Sequence, residues 1–393
     1  MNTLETHQLR IAMLPLTDAA PLVAAQMQGF FAEEQLDVEL VILQSWAQVR
    51  DAIQLEQVEA AQLLPLMPLA ASLGLDGIKT PIATALTLNR NGNAISLSSS
   101  LYQLAIAALP EAEHDHAQRG KALANVIRQR EQEGLPRLRL AHVHPFSSHH
   151  YLLRAWLYEA GIDPDNDVEL RVVPPSLMAD YVTQDMIDGF CVGAPWSDVA
   201  AEQQASTLFV RCEELWPHAQ EKLLGVRQAW METHPNTHKA LLRAIIKAGR
   251  WLDSNAEHRL AASHMLAEGH YLDLNVGSIK PELYERFKHR TSAGNVGIEF
   301  HHHNAQRPSR TQLLWYAAQL KRWGHYTDEA RLRQAIDRII RADIYMQVDT
   351  SVEGEDTATD TSGNEAHHSD QPTFEVAGQR FDPKAPFPSL RQG

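Results

Sequence analysis

The chain contains 393 residues, a length that predicts two or three domains rather than one. Hydrophobic residues make up 44% of it, which is enough for packed cores and excludes the disordered class. Its 35 Lys and Arg against 49 Asp and Glu give a net charge of −14, which argues against direct nucleic-acid binding. With only Cys191 and Cys212, no disulfide framework or Cys-rich metal site is expected.

The amino-terminal segment lacks the features of a secretory signal. A signal needs a basic region, a long apolar run and a small-residue cleavage site, whereas the apolar run that begins at Leu9 ends before Thr17. No uncharged apolar run is long enough to span a bilayer. For a chain that begins at Met1, we therefore expect a cytoplasmic protein without membrane contact.

The first part of the chain alternates strand-like with helix-like patterns. Short apolar runs predict strands, and apolar residues at helical spacing after Asp18 and Ser45, both able to cap a helix, predict the helices. This alternation predicts βαβ units and a parallel sheet, with a ligand at the carboxyl ends of the strands. The predicted strands are 9–14, 37–43 and 58–64, and the predicted helices are 18–34, 46–55 and a segment that ends at Leu73.

A similar pattern restarts near residue 139 and predicts a second α/β lobe. Downstream of it, apolar residues at helical spacing predict a mainly helical region. The predicted strands of the second lobe are 139–144, 168–173 and 189–193, and its helices are 149–160 and 176–185, preceded by an exposed helix at 117–133. The later predicted helices are 238–252, 256–267, 310–323 and 328–341.

The predicted fold class is α/β, with two lobes around a ligand cleft and a helical C-terminal region. We assign residues 8–88 and 195–347 to lobe 1, which includes the C-terminal helices, and residues 89–194 to lobe 2. The crossings between the lobes are expected at Leu88–Asn89 and Ala194–Pro195.

The composition changes abruptly at residue 349. The segment 349–372 holds seven acidic residues, no Lys or Arg, and many Ser, Thr and Gly. It cannot bury enough apolar area to offset its ordering entropy, so we predict an acidic low-complexity linker, followed by a C-terminal tail at 373–393. The linker carries half of the net charge, which leaves the folded body only mildly acidic.

The chain carries no sequence signature of catalysis. It has no nucleophile elbow, P-loop, paired metal-binding histidines of the zincin kind or dinucleotide fingerprint, so neither an enzyme nor a cofactor is predicted. His142, His144, His149 and His150 cluster in sequence, but without a neighbouring carboxylate or Cys group a structural role is favoured over a metal site. His301–His303 is interpreted as a polar surface loop or a structural element.

Polar residues at the ends of predicted strands form the candidate site. In a doubly wound lobe such positions converge on the ligand crevice. An aromatic wall, a neutral amide, a His and backbone N–H groups suit a small, planar anion, which one cation such as Lys222 would neutralise. Taken alone, each of these strand-end residues more often has a structural role than a binding role. The strand-end groups are Ser45–Trp46, Asn91–Asn93, His149, Pro174–Pro175 and Gly193–Trp196.

Motifs spread over residues 8–347 resemble the nitrate/bicarbonate-binding family of ABC-transporter solute-binding proteins. They agree in order along the chain, which makes the resemblance specific. The resemblance implies a type II periplasmic-binding-protein-like fold with two α/β lobes. The motifs are Pro15–Leu22, Gly29–Phe31, Ser45–Asp51, Pro65–Ala70, Asn91–Ile95, Ala160–Pro164, Asp188–Trp196, Glu221–Gly225 and Phe300–His302.

The resemblance also implies which residues contact the anion. Many family members carry Gln where Asn93 stands, and a Gly-Gly-Thr-like turn where this chain has Phe146–Ser148, so the choice among nitrate, nitrite and bicarbonate stays open. A positive pair, His149 and Lys222, with no added carboxylate is expected to fit an anion and to disfavour the more acidic bicarbonate type of site. The implied ligand-binding residues are Trp46, Asn93, His149, Pro175, Gly193 and Lys222.

With the expected cytoplasmic location and its length, this chain resembles the nitrate/nitrite sensors of the NasS kind. The resemblance implies that the protein sequesters a NasT-like, ANTAR-domain RNA-binding antiterminator and releases it when nitrate or nitrite binds. The main alternative is an extracytoplasmic nitrate or bicarbonate receptor of a transporter. The related pyrimidine-forming thiamin enzymes carry a Cys-rich iron motif, which Cys191 and Cys212 cannot supply, and a ligand-free scaffold is the remaining alternative.

Overall fold

A computed structural model describes residues 3–107, 109, 115–289, 297–349 and 373–387. The strands are β1 (Gln8–Met13), β2 (Asp37–Ile42), β3 (Ala60–Leu63), β4 (Ile82–Arg90), β5 (Asn93–Ser98), β6 (Leu138–His142), β7 (Val168–Val172), β8 (Gly189–Gly193), β9 (Ser206–Arg211), β10 (Gln220–Arg227), β11 (Phe374–Val376) and β12 (Gln379–Phe381).

The helices of the first half are α1 (Ala20–Met27), α2 (Phe30–Glu33), α3 (Trp46–Gln54), α4 (Met67–Leu73), α5 (Ser99–Ala107), α6 (His116–Gln132), α7 (Ser148–Glu159) and α8 (Met178–Thr183). Those of the second half are α9 (Trp196–Glu202), α10 (Cys212–Leu215), α11 (Gln228–Thr233), α12 (Pro235–Ser254), α13 (Ala256–Ala267), α14 (Val276–Lys280), α15 (Arg286–Lys288), α16 (Arg310–Arg322), α17 (Glu329–Ile339) and α18 (Ala342–Val348).

Two five-stranded sheets form the centres of the two lobes, as predicted. In the first, β1 lies parallel between β2 and β3, and β10 runs antiparallel between β3 and β4. In the second, β6 lies parallel between β7 and β8, and β5 runs antiparallel between β8 and β9. Each sheet therefore combines a parallel βαβ part with an antiparallel strand that enters near a crossing between the lobes.

Strand pairing corrects the predicted boundaries of the lobes. The first crossing is Asn91–Gly92, between β4 and β5, three residues beyond the predicted one. The second was predicted at Ala194–Pro195, but β9 pairs with β5, with Ala94 opposite Arg211, so the second sheet continues past that point. The chain returns to the first sheet only between Arg211 and β10, because β9 supplies the edge strand of the second lobe.

Helices behind the sheets also divide differently from the prediction. The core of the first lobe includes α12 and α13, as expected. In contrast, α16 and α17 pack into the core of the second lobe, where Trp315 lies 4.9 Å from Trp216 between ring centroids. These two helices therefore belong with lobe 2 by packing, although they follow the return crossing.

The C-terminal segments are only partly described. Asp349 is buried and accepts a hydrogen bond from Tyr345, so the predicted linker does not begin at this residue. The rest of that linker, 350–372, lies outside the described residues. Within the predicted tail, β11 and β12 form a hairpin, and Phe374 stacks on Trp216 at 5.1 Å, which docks the hairpin against lobe 2.

Most predicted elements of the βαβ parts are present in the structure. The bounds of β8 and α13 agree with the prediction, and Ser45 caps α3 by accepting a hydrogen bond from the Gln48 N–H. The predicted helix 18–34 is divided into α1 and α2 at Gly29, whose φ of 77° interrupts the helix. In the described residues, no helix has both the length and the apolar character needed to cross a bilayer.

Candidate functional site

Lys222 lies at the centre of a buried cluster between the two lobes. It stands near the start of β10 and its side chain is fully buried. Its ammonium nitrogen lies 2.8 Å from Asp18 Oδ2 and 2.7 Å from Glu221 Oε1. One buried cation is thus shared by two buried carboxylates.

An irregular register in β10 allows neighbouring residues to enter the same cluster. Side chains that follow one another in a regular strand point to opposite faces of the sheet. The pairing of β10 with β4 shifts between Gln220 and Lys222 and again between Lys222 and Leu223. Such a bulge redirects side chains locally, which explains how both Glu221 and Lys222 reach the cleft.

Asp18 belongs to the turn that follows β1, at the carboxyl end of a parallel strand. We predicted that it caps the next helix, but its side chain makes no capping hydrogen bond. Instead, Asp18 Oδ1 accepts a hydrogen bond of 2.8 Å from Asn89 Nδ2, and Oδ2 pairs with Lys222. The residue is therefore a member of the charged cluster.

The second lobe contributes the start of α7. Ser147 caps this helix by accepting a hydrogen bond of 3.0 Å from the His150 N–H. Ser148 Oγ donates to Glu221 Oε1 across the cleft at 2.6 Å. His149 is buried beside them, with its Nδ1 3.8 Å from Glu221 Oε1.

Trp46 brings an unpaired donor to the cluster from the start of α3. Its ring centroid lies 5.7 Å from the Lys222 ammonium nitrogen, and the side chain is 1% exposed. The indole nitrogen Nε1 is buried and has no hydrogen-bond partner among the described residues. Because an indole N–H is only a donor and its burial without a partner is costly, it indicates a place for an acceptor atom of a ligand.

Asn93 and Gly193 face each other across the pairing of β5 with β8. A Cβ atom on Gly193 would lie 3.3 Å from both Asn93 Oδ1 and Asp18 Oδ2, and 3.7 Å from His149 Nε2. Gly193 therefore lies where polar atoms of both lobes converge, and a side chain there would crowd them. Asn93 Nδ2 donates to Ser148 Oγ at 3.4 Å, whereas its Oδ1 is buried without a partner among the described residues.

Contacts bring five of the six predicted binding residues into one cluster: Trp46, Asn93, His149, Gly193 and Lys222. Pro175 is buried at the start of a 3₁₀ turn, three residues after β7, and its contact with a ligand stays a prediction. The geometry alone does not test which of these residues bind.

The electrostatics of the cluster differ from the sequence-based expectation. Burial raises the pKa of Asp18 and of Glu221, and Lys222 opposes this only in part. Burial lowers the pKa of Lys222, but the two carboxylates outweigh it and raise that pKa overall. Burial, followed by the charge of Lys222, holds the pKa of His149 well below its usual range, so His149 is neutral.

One expectation is therefore wrong. His149 and Lys222 do not form a positive pair, because the imidazole carries no charge near neutral pH. Two carboxylates that were not predicted for the site, Asp18 and Glu221, both contact Lys222. With both ionised the cluster has one negative charge in excess. The expected preference against bicarbonate stays a prediction.

Contacts between the lobes close the cleft over the cluster. His144 Nε2, from lobe 2, lies 3.1 Å from Asp76 Oδ2, and Arg50 lies 2.7 Å from the other oxygen of the same carboxylate. Burial would raise the pKa of Asp76, but hydrogen bonds from His144 and Arg50 lower it overall. Trp196 Nε1 also donates to the Pro15 carbonyl at 3.1 Å. The structure is thus a closed form.

Other histidines of the predicted cluster have structural partners. His142 Nε2 and His150 Nδ1 lie 2.8 Å apart and share a hydrogen bond. Burial lowers the pKa of His142 to about 3 and that of His150 well below its usual range. This arrangement fits the structural role that we favoured for these residues.

The sequence reasoning missed Asp18, Ser148 and Glu221. Asp18 and Ser148 both follow strands of the parallel parts, so the rule that selected Trp46 could have found them; Asp18 was interpreted as a cap instead. Glu221 stands beside Lys222 at the start of a strand that was not predicted. Chemically, the cluster can hold a small anion between a cation, an indole N–H and polar groups of both lobes.

A model of the NMT1-like family matches residues 2–267. The nitrate import ATP-binding protein NrtC of Synechocystis sp. and the bicarbonate transport ATP-binding protein CmpC of Synechococcus elongatus are each 33% identical, over 88% and 87% of this chain. The chain spans about half of their length, 50% and 49%. The crystal structure of the periplasmic nitrate-binding protein NrtA from Synechocystis PCC 6803 has a TM-score of 0.84, at 25% identity, and 98% of each chain is covered.

A double-mutant cycle tests the charge balance of the cluster. Lys222→Met leaves two buried carboxylates without a cation, so we expect a loss of about 3–5 kcal/mol in the free energy of unfolding at about pH 8. The folded-state carboxyl pKa values are raised, so this loss shrinks as the pH falls and the carboxylates take up protons. Urea unfolding at about pH 8 and about pH 5.5 measures both effects.

The matched variant is Lys222→Met/Asp18→Asn, which removes one charge of each sign. Glu221 then remains as a single buried carboxyl that can be protonated, and we expect most of the stability to return. A double variant as unstable as Lys222→Met, or a loss that grows at low pH, would contradict the charge balance described here.

Proposed function

The chain belongs to the NMT1-like family, and from this premise and the geometry of the cleft we propose that it is a non-enzymatic protein that binds nitrate or nitrite between its two lobes. The observation that carries the proposal is the buried, unpaired Trp46 N–H beside Lys222, where polar atoms of both lobes converge on Gly193. The similarity to a nitrate-binding protein over 98% of both chains supports nitrate as the ligand.

The arrangement of charges explains how a monovalent anion would be held. Lys222 supplies the charge, and Trp46 supplies a directed donor on the same side of the cleft. Asn93 and His149 approach the same point, beside Gly193, from the other lobe. A small planar oxyanion fits this combination, because each of its oxygens can accept from a different group.

Ligand-induced stabilisation tests this proposal. A ligand that binds only the native state adds about 2.7 kcal/mol at 100 times its Kd, so nitrate and nitrite should raise the Tm of the wild-type chain. Bicarbonate and chloride serve as comparison anions. Lys222→Met/Asp18→Asn should lose at least about tenfold in affinity, which corresponds to about 1.4 kcal/mol.

The control for this experiment is Lys247→Met/Glu33→Gln, which removes another lysine–carboxylate ion pair whose two side chains are about half exposed. Its affinity should equal that of the wild type. If none of the anions shifts the Tm, anion binding is disproved; if only bicarbonate does, the ligand assignment is wrong.

The two buried carboxylates beside Lys222 predict that nitrate binds more tightly as the pH falls. Adding an anion next to Asp18 and Glu221 raises their pKa values further, so binding is accompanied by proton uptake. With one proton taken up, affinity should increase by up to about tenfold per pH unit. Nitrate is the right probe because it remains an anion across this range. Calorimetry at a series of pH values measures the slope.

Asp18→Asn distinguishes the carboxylates from His149 as the source of this slope. In that variant only Glu221, which Lys222 balances, can still take up a proton, so the pH dependence of nitrate affinity should become clearly shallower. If His149 took up the proton, the slope would be unchanged in the variant. An affinity that weakens as the pH falls would contradict the proposal for the wild-type protein.

We further propose that the protein is a cytoplasmic sensor that sequesters a NasT-like, ANTAR-domain RNA-binding antiterminator and releases it on anion binding. The motifs of the solute-binding family, together with a chain length that resembles that of the NasS-type sensors, support this. A ligand that favours the closed cleft opposes a partner that binds another state better, by linkage. The alternative is an extracytoplasmic nitrate or bicarbonate receptor of a transporter, which the names of the relatives support equally.

Gel filtration with a purified antiterminator of this class separates the two alternatives. A sensor should co-elute with the antiterminator and release it when nitrate is added. Lys222→Met/Asp18→Asn should form the same complex but fail to release it, because anion binding is lost. A protein that binds nitrate yet forms no complex supports the receptor, and release from the double variant would show that this site does not control the partner.

A further inference from the structure

A second polar cluster lies outside the cleft, next to the two crossings between the lobes. His218 Nδ1 lies 2.6 Å from Glu299 Oε2, and His303 Nδ1 lies 2.5 Å from Glu299 Oε1. The three ligand-type atoms lie within 4.8 Å of one another. Each imidazole thus faces a different oxygen of one carboxylate.

The three residues come from separate parts of the chain. His218 stands in the return crossing, just before β10. Glu299 forms a backbone bridge with Arg90, the last residue of β4, directly before the first crossing. Asn91 of the first crossing donates its N–H to the Ala219 carbonyl of the second, at 2.9 Å. The cluster therefore lies where both crossings run side by side.

We propose that His218, Glu299 and His303 form a binding site for a divalent transition-metal ion, with Zn²⁺ as its best match. Two imidazoles and one carboxylate are a known three-residue set for zinc, with a water in the fourth position. Imidazole ligands also suit Ni²⁺ and Cu²⁺, whereas Mg²⁺ and Ca²⁺ prefer oxygen ligands only.

The site is formed in advance and open on one side. The side chain of Glu299 is fully buried, while those of His218 and His303 are 38% and 56% exposed. An ion can therefore enter from solvent, and a water can complete its coordination.

Only a small rearrangement is needed to admit the ion. In a tetrahedral zinc site with bonds of about 2.0–2.2 Å, neighbouring ligand atoms lie about 3.4 Å apart. The two N···O separations would each widen by about 0.8 Å as the metal replaces the shared protons. Arg90 is held near Glu299 by hydrogen bonds to the His303 and Asn304 carbonyls, and its charge lowers the expected affinity below that of a closed structural zinc site.

This inference gives a role to the run His301–His303, which we had interpreted as a polar surface loop or a structural element. Of the other two histidines in the run, His301 Nδ1 contacts Gln306 and His302 Nδ1 lies 3.5 Å from Asp253. His303, in contrast, shares the Glu299 carboxylate with His218. The residues of the anion cleft are not used, so the two sites can be tested independently.

Zinc titration of the full chain tests the site. Chelator-treated protein is titrated with ZnCl₂ by calorimetry, and Co²⁺ is added separately as a spectroscopic probe. We expect one zinc ion per chain in the tightest phase and a visible Co²⁺ absorption typical of tetrahedral coordination. His218→Gln and His303→Gln, both changes of partly exposed side chains, should each weaken zinc binding at least tenfold and remove the Co²⁺ absorption.

The control is His270→Gln. His270 Nδ1 lies 3.7 Å from Glu268 Oε2, and this pair is not part of the three-residue cluster. The variant should bind zinc as tightly as the wild type does. That result would show that exposed histidines outside the cluster do not account for the measured zinc binding. The proposal is wrong if the wild type binds no zinc, or if His218→Gln and His303→Gln bind it as tightly as the wild type does. Unchanged thermal unfolding of both variants in chelator excludes misfolding as the cause of a loss.

Discussion

One buried ammonium group shared by two buried carboxylates controls the chemistry of the cleft. Desolvating three charges is costly, and it is tolerated only when each is paired closely. The 2.8 Å and 2.7 Å contacts of Lys222 satisfy that condition for Asp18 and Glu221, but they leave one negative charge in excess if both ionise. The cluster must therefore gain a proton when it gains an anion, or bind the anion weakly. The affinity of the cluster for an anion and its affinity for protons are consequently linked thermodynamically.

The topology explains how residues so distant in sequence form this cluster. Asp18 follows β1, as expected of a residue at the carboxyl end of a parallel strand. Lys222 and Glu221, in contrast, lie on a strand that returns from the second lobe and inserts between β3 and β4 in the antiparallel sense. Because β10 starts immediately after the return crossing, its first residues lie at the boundary between the lobes. The register shifts there turn two successive side chains into the cleft.

Local sequence patterns predicted the parts of the fold that local rules govern. The capping role of Ser45 and the bounds of β8 and α13 follow from capping chemistry and hydrophobic periodicity. The strands β4, β5, β9 and β10 were not recognised or were recognised only at one end, because their pairing joins segments such as Asn89 and Lys222 that lie far apart in sequence. Trp46 was predicted as a site residue because it follows the end of β2. The neutral state of His149 could not be predicted from the sequence, since it depends on complete burial and on the distance between His149 and Lys222.

The closed form contains unfavourable features that a ligand would relieve. The Trp46 N–H and the Asn93 Oδ1 are both buried without a partner among the described residues. Contacts such as His144 with Asp76 favour closure independently of any ligand. A ligand shifts an equilibrium only by its differential affinity for the two states. An anion that contacts Lys222 and Trp46 on one lobe and Asn93 on the other can make all of these contacts only when the cleft is closed, so its binding energy is necessarily coupled to closure.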